Sequence, residues 1–232
     1  MLRMSSGKLL ARLTIQTALW LIIMALLLFL PAGNWGWRQA WAFLALFASL
    51  SITFSLWLLP RDPALLNSRL HVVQKGQSIW DRVWISLFIA LWCAWLAFMG
   101  LDAQRWHWSS MPPAANIAGG TLLAAGFLAT MVVFRANSFA SPAIRLQKER
   151  GQRVIDTGPY ALVRHPMYAA AILYLFGIPL LLGSKYGLLV PPIFVIGMSV
   201  RAIFEERMLR RDLPGYADYM TRVRWRLIPG VW

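Results

Sequence analysis

The sequence between residues 13 and 37 reads LTIQTALWLIIMALLLFLPAGNWGW, without one Asp, Glu, Lys or Arg. A helix needs about 20 apolar residues to cross the hydrocarbon core of a bilayer, and this run is long enough. Five further runs also lack these four residue types, and they span 39–60, 83–101, 106–134, 165–184 and 186–200. After trimming at glycine and proline, we expect an all-α integral membrane protein with about six transmembrane helices, at 13–31, 40–59, 82–100, 116–134, 167–182 and 187–204.

The composition of the whole chain agrees with a membrane protein. Of its 232 residues, 59% are hydrophobic and only 14% are charged, whereas soluble domains are less apolar and more charged. Cys93 is the single cysteine and has no partner for an internal disulfide. These values exclude a disordered protein, a disulfide scaffold and an ordinary soluble enzyme.

The positive charges alternate with the predicted spans. The net charge is +14, and only Arg38, Arg105 and Lys185 of the 23 Lys and Arg residues fall on one side of the membrane. The other 20 fall in the N-terminal segment, the two long connections and the C-terminal tail. Cytoplasmic loops are enriched in Lys and Arg, so we expect both termini in the cytoplasm, and the inner membrane if the source is bacterial. The positive charge therefore reflects topology, and no nucleic-acid partner is expected.

Polar residues concentrate after residue 135. We therefore divide the chain into an N-terminal scaffold of four transmembrane helices, 1–134, and a catalytic and cofactor-binding region, 135–232. In the second region the last two membrane helices form a helical hairpin beside cytoplasmic cofactor-binding segments. The chain has three His and one Cys without a His/Cys cluster, so no metal site is expected.

Charged residues end the last predicted span. Arg201 and Glu205 are four residues apart and share one helix face, and Glu206 follows directly. Such charges are often anchors at the membrane surface. Acids are less expected on the side of the membrane where Lys and Arg are concentrated. Binding of a cationic ligand is therefore the alternative explanation for Glu205 and Glu206.

A second polar group precedes the fifth predicted span. Gly158-Pro159 indicates a turn, and Pro166 suits the first turn of a helix. Arg164 and His165 therefore lie next to a helix N-terminus, where an anionic group binds favourably. An interfacial cap with aromatic-belt residues is the alternative interpretation.

Three linked motifs, in order along the chain, resemble those of a known family. Thr157-Gly158-Pro159-Tyr160 is followed by Arg164-His165-Pro166-Met167-Tyr168, and then by Glu205-Glu206-x-x-Leu209 and Gly215-Tyr216-x-x-Tyr219. Together they resemble the signature of the isoprenylcysteine carboxyl methyltransferases, which are integral-membrane enzymes related to the phospholipid N-methyltransferases. The resemblance covers about residues 140–230, and the first four spans lie outside it.

The resemblance implies S-adenosylmethionine as the methyl donor, bound between the last helices and the cytoplasmic segments. Arg201 and Glu205 match the catalytic positions, with Arg201 on the substrate side. The positions that match cofactor contacts are Gln152, Arg153, Val154, Ile155, Tyr160, Arg164, His165, Pro166, Met167, Tyr168, Glu205 and Glu206, and a weaker candidate lies near Arg145 or Gln147. One departure is Gln152, where the family often has His.

The identity of the acceptor stays open on this reasoning. Of the two acceptors, a lipid-like or lipidated carboxylate is favoured because Arg201 could hold it. A phospholipid amine, which would have to lose a proton first, is the other. A membrane reductase of the sterol type, which uses a nicotinamide cofactor, and a non-catalytic scaffold or transporter are the alternative functions.

Overall fold

The computed structural model describes residues 6–71, 74 and 76–232; Arg3 and Lys75, two of the charges counted on the cytoplasmic side, lie outside this part. The described residues form helices and connections, without a β-strand. The α-helices among them are α1 (Ser6–Ala32), α2 (Arg38–Arg61), α3 (Pro63–Arg69), α4 (Ile79–Gly100), α5 (Pro113–Ala136), α6 (Pro166–Leu182), α7 (Pro191–Asp212) and α8 (Tyr216–Arg222).

The described helices include five segments long and apolar enough to cross a membrane. These are Leu9–Ala32, Arg38–Arg61, Ile79–Arg105, Pro113–Ala136 and Tyr186–Asp212. The remaining predicted span, 167–182, lies on α6, which is apolar but only 17 residues long. Each predicted span therefore falls on a helix, and the prediction of an all-α integral membrane protein is confirmed.

The outer surface of the bundle is apolar, as a surface in contact with lipid must be. Large apolar side chains such as Ile15, Ile22, Leu87, Ile117 and Ile196 are more than half exposed. A soluble protein rarely exposes so much contiguous apolar area.

The most extensive helix contact among the described residues joins α5 and α6. A Cβ atom on Gly119 would overlap the backbone nitrogen of Leu181, and one on Gly177 would lie 2.7 Å from the carbonyl oxygen of Gly119. Only glycine permits such close approach of two backbones, a common device in membrane helices. Asn116 adds a hydrogen bond of 2.9 Å from Nδ2 to the carbonyl of Leu180. The predicted hairpin partners, α6 and α7, are linked by a short connection through the 3₁₀ turn Tyr186–Leu189, but they pack together less closely.

A buried acid lies at the far end of α4. Asp102 follows α4 in the π-helical turn Leu101–Arg105 and is completely buried. Its carboxylate accepts hydrogen bonds from Ser109 Oγ at 2.7 and 2.8 Å and from Ser184 Oγ at 2.6 Å. This group ties the ends of three segments together, away from the region described next.

The opposite end of the bundle, where α5 ends and α6 begins, carries the polar segments. The C-terminal tail crosses the start of α6: the backbone N–H groups of Arg164 and His165 donate to the carbonyls of Trp225 and Arg226, each at 2.9 Å. Pro166 begins α6, where its missing N–H leaves no helical bond unmade. The tail, α8 and the connection between α5 and α6 together form a polar layer at this end.

Candidate functional site

A cavity lies inside this polar layer, between the first turn of α6, the end of α7, α8 and the connection after α5. It encloses about 790 Å³ of space free of protein atoms, part of it open to solvent. Eleven of the twelve predicted cofactor-binding residues line it, and these are Gln152, Arg153, Val154, Ile155, Tyr160, Arg164, His165, Pro166, Met167, Tyr168 and Glu205. The chain thus brings two sequence motifs that are about 40 residues apart to one cavity.

The wall formed by residues 152–155 is held by a tight turn. The 3₁₀ turn Lys148–Arg150 ends at Gly151, whose φ of +63° is accessible to glycine. The side-chain oxygen of Gln152 accepts a hydrogen bond of 2.7 Å from the backbone N–H of Gln147. The glutamine that departs from the family pattern therefore closes this turn, and Val154 packs against the apolar cluster of α7 and α8.

Neutral aromatic groups form another wall. Tyr219 donates from its hydroxyl to the carbonyl of Tyr160 at 2.8 Å, and the hydroxyl of Tyr160 accepts from Asn137 Nδ2 at 2.8 Å. Burial raises the pKa of both Tyr160 and Tyr219 above the usual phenol range. These rings are therefore uncharged at neutral pH and offer a flat, largely apolar surface to a ligand.

Glu205 is the one acid among the residues that line the cavity. Its side chain is 29% exposed, and its Oε2 accepts a hydrogen bond of 2.9 Å from the hydroxyl of Tyr168. The ring of His165 stacks on Tyr168 with an angle of 3° between the ring planes. His165 and Tyr168 thus hold Glu205 from one side, and its carboxylate remains accessible to a ligand.

Glu206, the twelfth predicted cofactor-binding residue, does not line the cavity. Its carboxylate accepts from Arg164 Nε at 2.6 Å and from Arg226 Nε at 2.9 Å, and it lies 3.2 Å from His165 Nε2. Arg164 Nη1 also donates to the carbonyls of Val223 at 2.8 Å and Arg224 at 3.0 Å. The second acid of the pair therefore holds the C-terminal tail against α6.

Arg201 is also placed behind the cavity wall. It is buried, it does not line the cavity, and its guanidinium donates to Asp81, to the hydroxyl of Tyr168 and to the carbonyl of Pro142. The Nη2–Oδ1 distance to Asp81 is 2.9 Å. The charge of the predicted substrate-side arginine is thus paired with an acid of α4, and Arg201 reaches the cavity through Tyr168.

Sequence reasoning missed several lining residues and one buried acid. Leu209, Tyr216 and Tyr219 belong to the quoted motifs but had no assigned contact. The lining residues outside the motifs are Asn137, Phe139, Ala140, Ser141, Ala143, Met208 and Leu213. Of the weaker candidates, Arg145 lines the cavity and Gln147 lies behind it. Asp81 had a recognisable signal, because it is an acid at the positive end of a span, as Glu205 is.

Across the described residues, no group of three or more His, Cys, Asp and Glu side chains is arranged to hold a metal ion. The cavity offers one carboxylate, several arginines, a histidine and neutral tyrosines. Such a set binds charged organic groups and aromatic rings.

Comparison with known proteins extends this description. A search of curated proteins gave no match to the chain. Residues 114–214 match the family model of the phospholipid methyltransferases. The matched stretch begins in α5 and includes the motifs of residues 157–168 and the pair Glu205-Glu206. This part of the chain, 101 of its 232 residues, is therefore similar to the phospholipid methyltransferases.

Proposed function

We propose that this chain is an integral-membrane methyltransferase that takes its methyl group from S-adenosylmethionine and transfers it to a lipid-like acceptor. The observation on which the proposal rests most is Glu205, an accessible carboxylate in a cavity lined with tyrosines and basic groups. The family-model match supports the reaction class.

The cavity residues fit the chemical groups of this donor. Its α-ammonium group suits the carboxylate of Glu205, and its carboxylate suits Arg153 or His165. Its adenosine suits the neutral tyrosines and the apolar wall around Val154. Arg164 and Glu206 are paired with each other, so we assign them to holding the tail in place.

Methyl transfer depends mainly on how the donor and the acceptor are positioned. When bound, S-adenosylmethionine supplies a methyl group activated by a positively charged sulfur. Tyr168 directs the carboxylate of Glu205 through a hydrogen bond of 2.9 Å, and His165 limits the motion of Tyr168 by stacking. Holding two reactants in the right geometry accounts for a large part of such a rate enhancement.

We propose a phospholipid amine as the first candidate acceptor. The lining residues include a carboxylate that attracts cationic groups, and the matching family model is that of the phospholipid methyltransferases. An amine must lose a proton before it attacks the methyl carbon.

A lipid-like carboxylate is the second candidate, as in an isoprenylcysteine carboxyl methyltransferase. Arg145 and Arg153 line the cavity and supply positive charge. Arg201 does not line the cavity, and its pairing with Asp81 makes direct contact with an acceptor carboxylate less favourable.

We also propose that both termini face the cytoplasm, in the inner membrane if the source is bacterial. The site end of the bundle contains the two long basic connections and the tail. This orientation gives a water-soluble donor access from the cytoplasm and the acceptor access from the adjacent leaflet.

The acceptor is tested with purified full-length protein in vesicles and a donor labelled on its methyl group. One set of vesicles contains phosphatidylethanolamine, and the other contains a farnesylated cysteine analogue with a free carboxylate. We expect label in the amine lipid, and we expect Glu205→Gln to abolish it while Asp218→Asn, which removes an exposed acid of α8, retains it. Label in the carboxylate instead supports the second candidate. Oxidation of NADPH without methyl transfer would contradict both and support the reductase.

A further inference from the structure

Asp81 is a buried acid outside the region of the sequence motifs. It lies in the first turn of α4 and is completely buried. Its Oδ2 accepts hydrogen bonds from Gln77 Nε2 at 2.8 Å and from the backbone N–H of Ile144 at 2.9 Å, and its Oδ1 faces Arg201. Because a buried charge is costly unless it is paired, Asp81 and Arg201 stabilise each other.

Arg201 stands between two acids. Its Nε donates to Asp81 at 3.0 Å, and one of its terminal nitrogens donates to the hydroxyl of Tyr168. The same hydroxyl donates to Glu205 Oε2 at 2.9 Å. Arg201 and Glu205 are one helical turn apart on α7, so a single hydroxyl group separates the guanidinium from the carboxylate of the cavity.

The charge balance among Arg201, Glu205 and Asp81 depends on the carboxylate of Asp81. With Asp81 present, its charge offsets that of Arg201, and the negative charge of Glu205 remains available to a ligand. Without Asp81, Arg201 is the unpaired buried charge, and Glu205 is the nearest acid that it can pair with. Such a pair would cancel the negative charge of the cavity.

From this arrangement we infer that Asp81 is a positioning residue for the cavity: it holds Arg201 away from Glu205 and so preserves the carboxylate that binds the cationic part of the ligand. This role rests on the proposed function, because the ligand in question is the methyl donor. Asp81 does not line the cavity, so its effect on Glu205 passes through Arg201.

A matched control is present near the other end of the same membrane segment. Asp102 is also completely buried, but its carboxylate accepts from Ser109 and Ser184, and it lies at the opposite end of this segment from Asp81. Asp81→Asn and Asp102→Asn therefore make the same chemical change in equally buried positions, and only the first alters the charge balance beside Glu205.

The experiment measures two ligands by calorimetry on the purified full-length protein. S-adenosylhomocysteine carries the α-ammonium group, and methylthioadenosine lacks the amino acid part altogether. For Asp81→Asn we expect S-adenosylhomocysteine to bind about tenfold more weakly, which corresponds to about 1.4 kcal/mol, with methylthioadenosine unchanged. For Asp102→Asn we expect both ligands to bind as in the unsubstituted protein.

A double variant tests the route through Arg201. In Asp81→Asn/Arg201→Gln no guanidinium remains to pair with Glu205, so we expect S-adenosylhomocysteine binding to recover relative to Asp81→Asn alone. The double variant also serves if Asp81→Asn does not fold, because it leaves no unpaired buried arginine. In that case we expect it to bind S-adenosylhomocysteine as the unsubstituted protein does.

Three results would overturn the inference. They are unchanged S-adenosylhomocysteine binding in Asp81→Asn, an equal loss of both ligands in that variant, and a double variant that binds S-adenosylhomocysteine poorly. If the unsubstituted folded protein binds neither ligand, the proposed function itself fails, which is a different outcome from any of these three.

Discussion

The carboxylates of Glu205 and Glu206 are adjacent in the sequence but lie in different surroundings. Glu205 faces the cavity and accepts a hydrogen bond from Tyr168, whereas Glu206 is buried against Arg164 and Arg226. Successive residues of an α-helix point about 100° apart, so the two adjacent acids near the end of α7 contact different sets of residues. One acid is available to a ligand, and the other holds the fold together.

The first prediction follows from the surroundings of Glu206. Glu206→Gln leaves Arg164 and Arg226 without their anionic partner, and breaking a buried ion pair costs about 3–5 kcal/mol. We expect a clearly lower unfolding midpoint for Glu206→Gln, measured by thermal unfolding in detergent, and little change for Glu205→Gln, whose side chain is partly exposed. Equal midpoints for the two variants would contradict the assignment of Glu206 to the fold.

The second prediction concerns the contact between α5 and α6. A Cβ on Gly177 would meet the backbone of α5 at 2.7 and 2.8 Å, so Gly177→Ala forces the helices apart. Overpacking of this kind costs about 1–3 kcal/mol. Gly197→Ala is the matched control on α7, where the nearest atom, of Trp84, would lie 3.7 Å away. Thermal unfolding should separate the two variants, and a Gly177→Ala protein as stable as the control would show that the helices do not approach so closely.

The third prediction concerns orientation in the membrane. Lys148 and Lys185 are both exposed, and the positive-inside pattern assigns them to opposite sides. In a Cys93→Ser background, Lys185→Cys should react with a membrane-impermeant maleimide on intact cells, and Lys148→Cys should react only after permeabilisation. The reverse labelling pattern would refute cytoplasmic termini.

Much of the fold was predictable because membrane spans leave a strong local signal. Each predicted span falls on a helix, since length and apolarity largely determine whether a segment can cross a bilayer. The closest helix pair was not predictable in this way. The approach of α5 and α6 depends on Gly119, Gly126 and Gly177, and isolated glycines in apolar runs do not by themselves identify their partners.

The candidate site was also predictable only in part. Residues 152–155, Tyr160 and 164–168 form the cavity wall together with Glu205, as motifs at fixed spacing suggested. The rotation of α7 about its axis decides which of the two acids faces the cavity. Contacts between residues distant in the sequence decide what pairs with Arg201. Asp81 and Arg201 are 120 residues apart, and no local pattern predicts such a pair. The division into a scaffold, 1–134, and a catalytic region stays a prediction, although the extensive packing of α5 on α6 crosses that boundary.

The central claim is that Glu205 makes this cavity a site for S-adenosylmethionine, and calorimetric titration of S-adenosylhomocysteine into the folded, detergent-purified protein tests it most directly. We predict a dissociation constant of about micromolar size for the unsubstituted protein, loss of measurable binding in Glu205→Gln and no binding of NADPH. Absence of S-adenosylhomocysteine binding by well-folded protein, or equal binding by Glu205→Gln, would contradict the account.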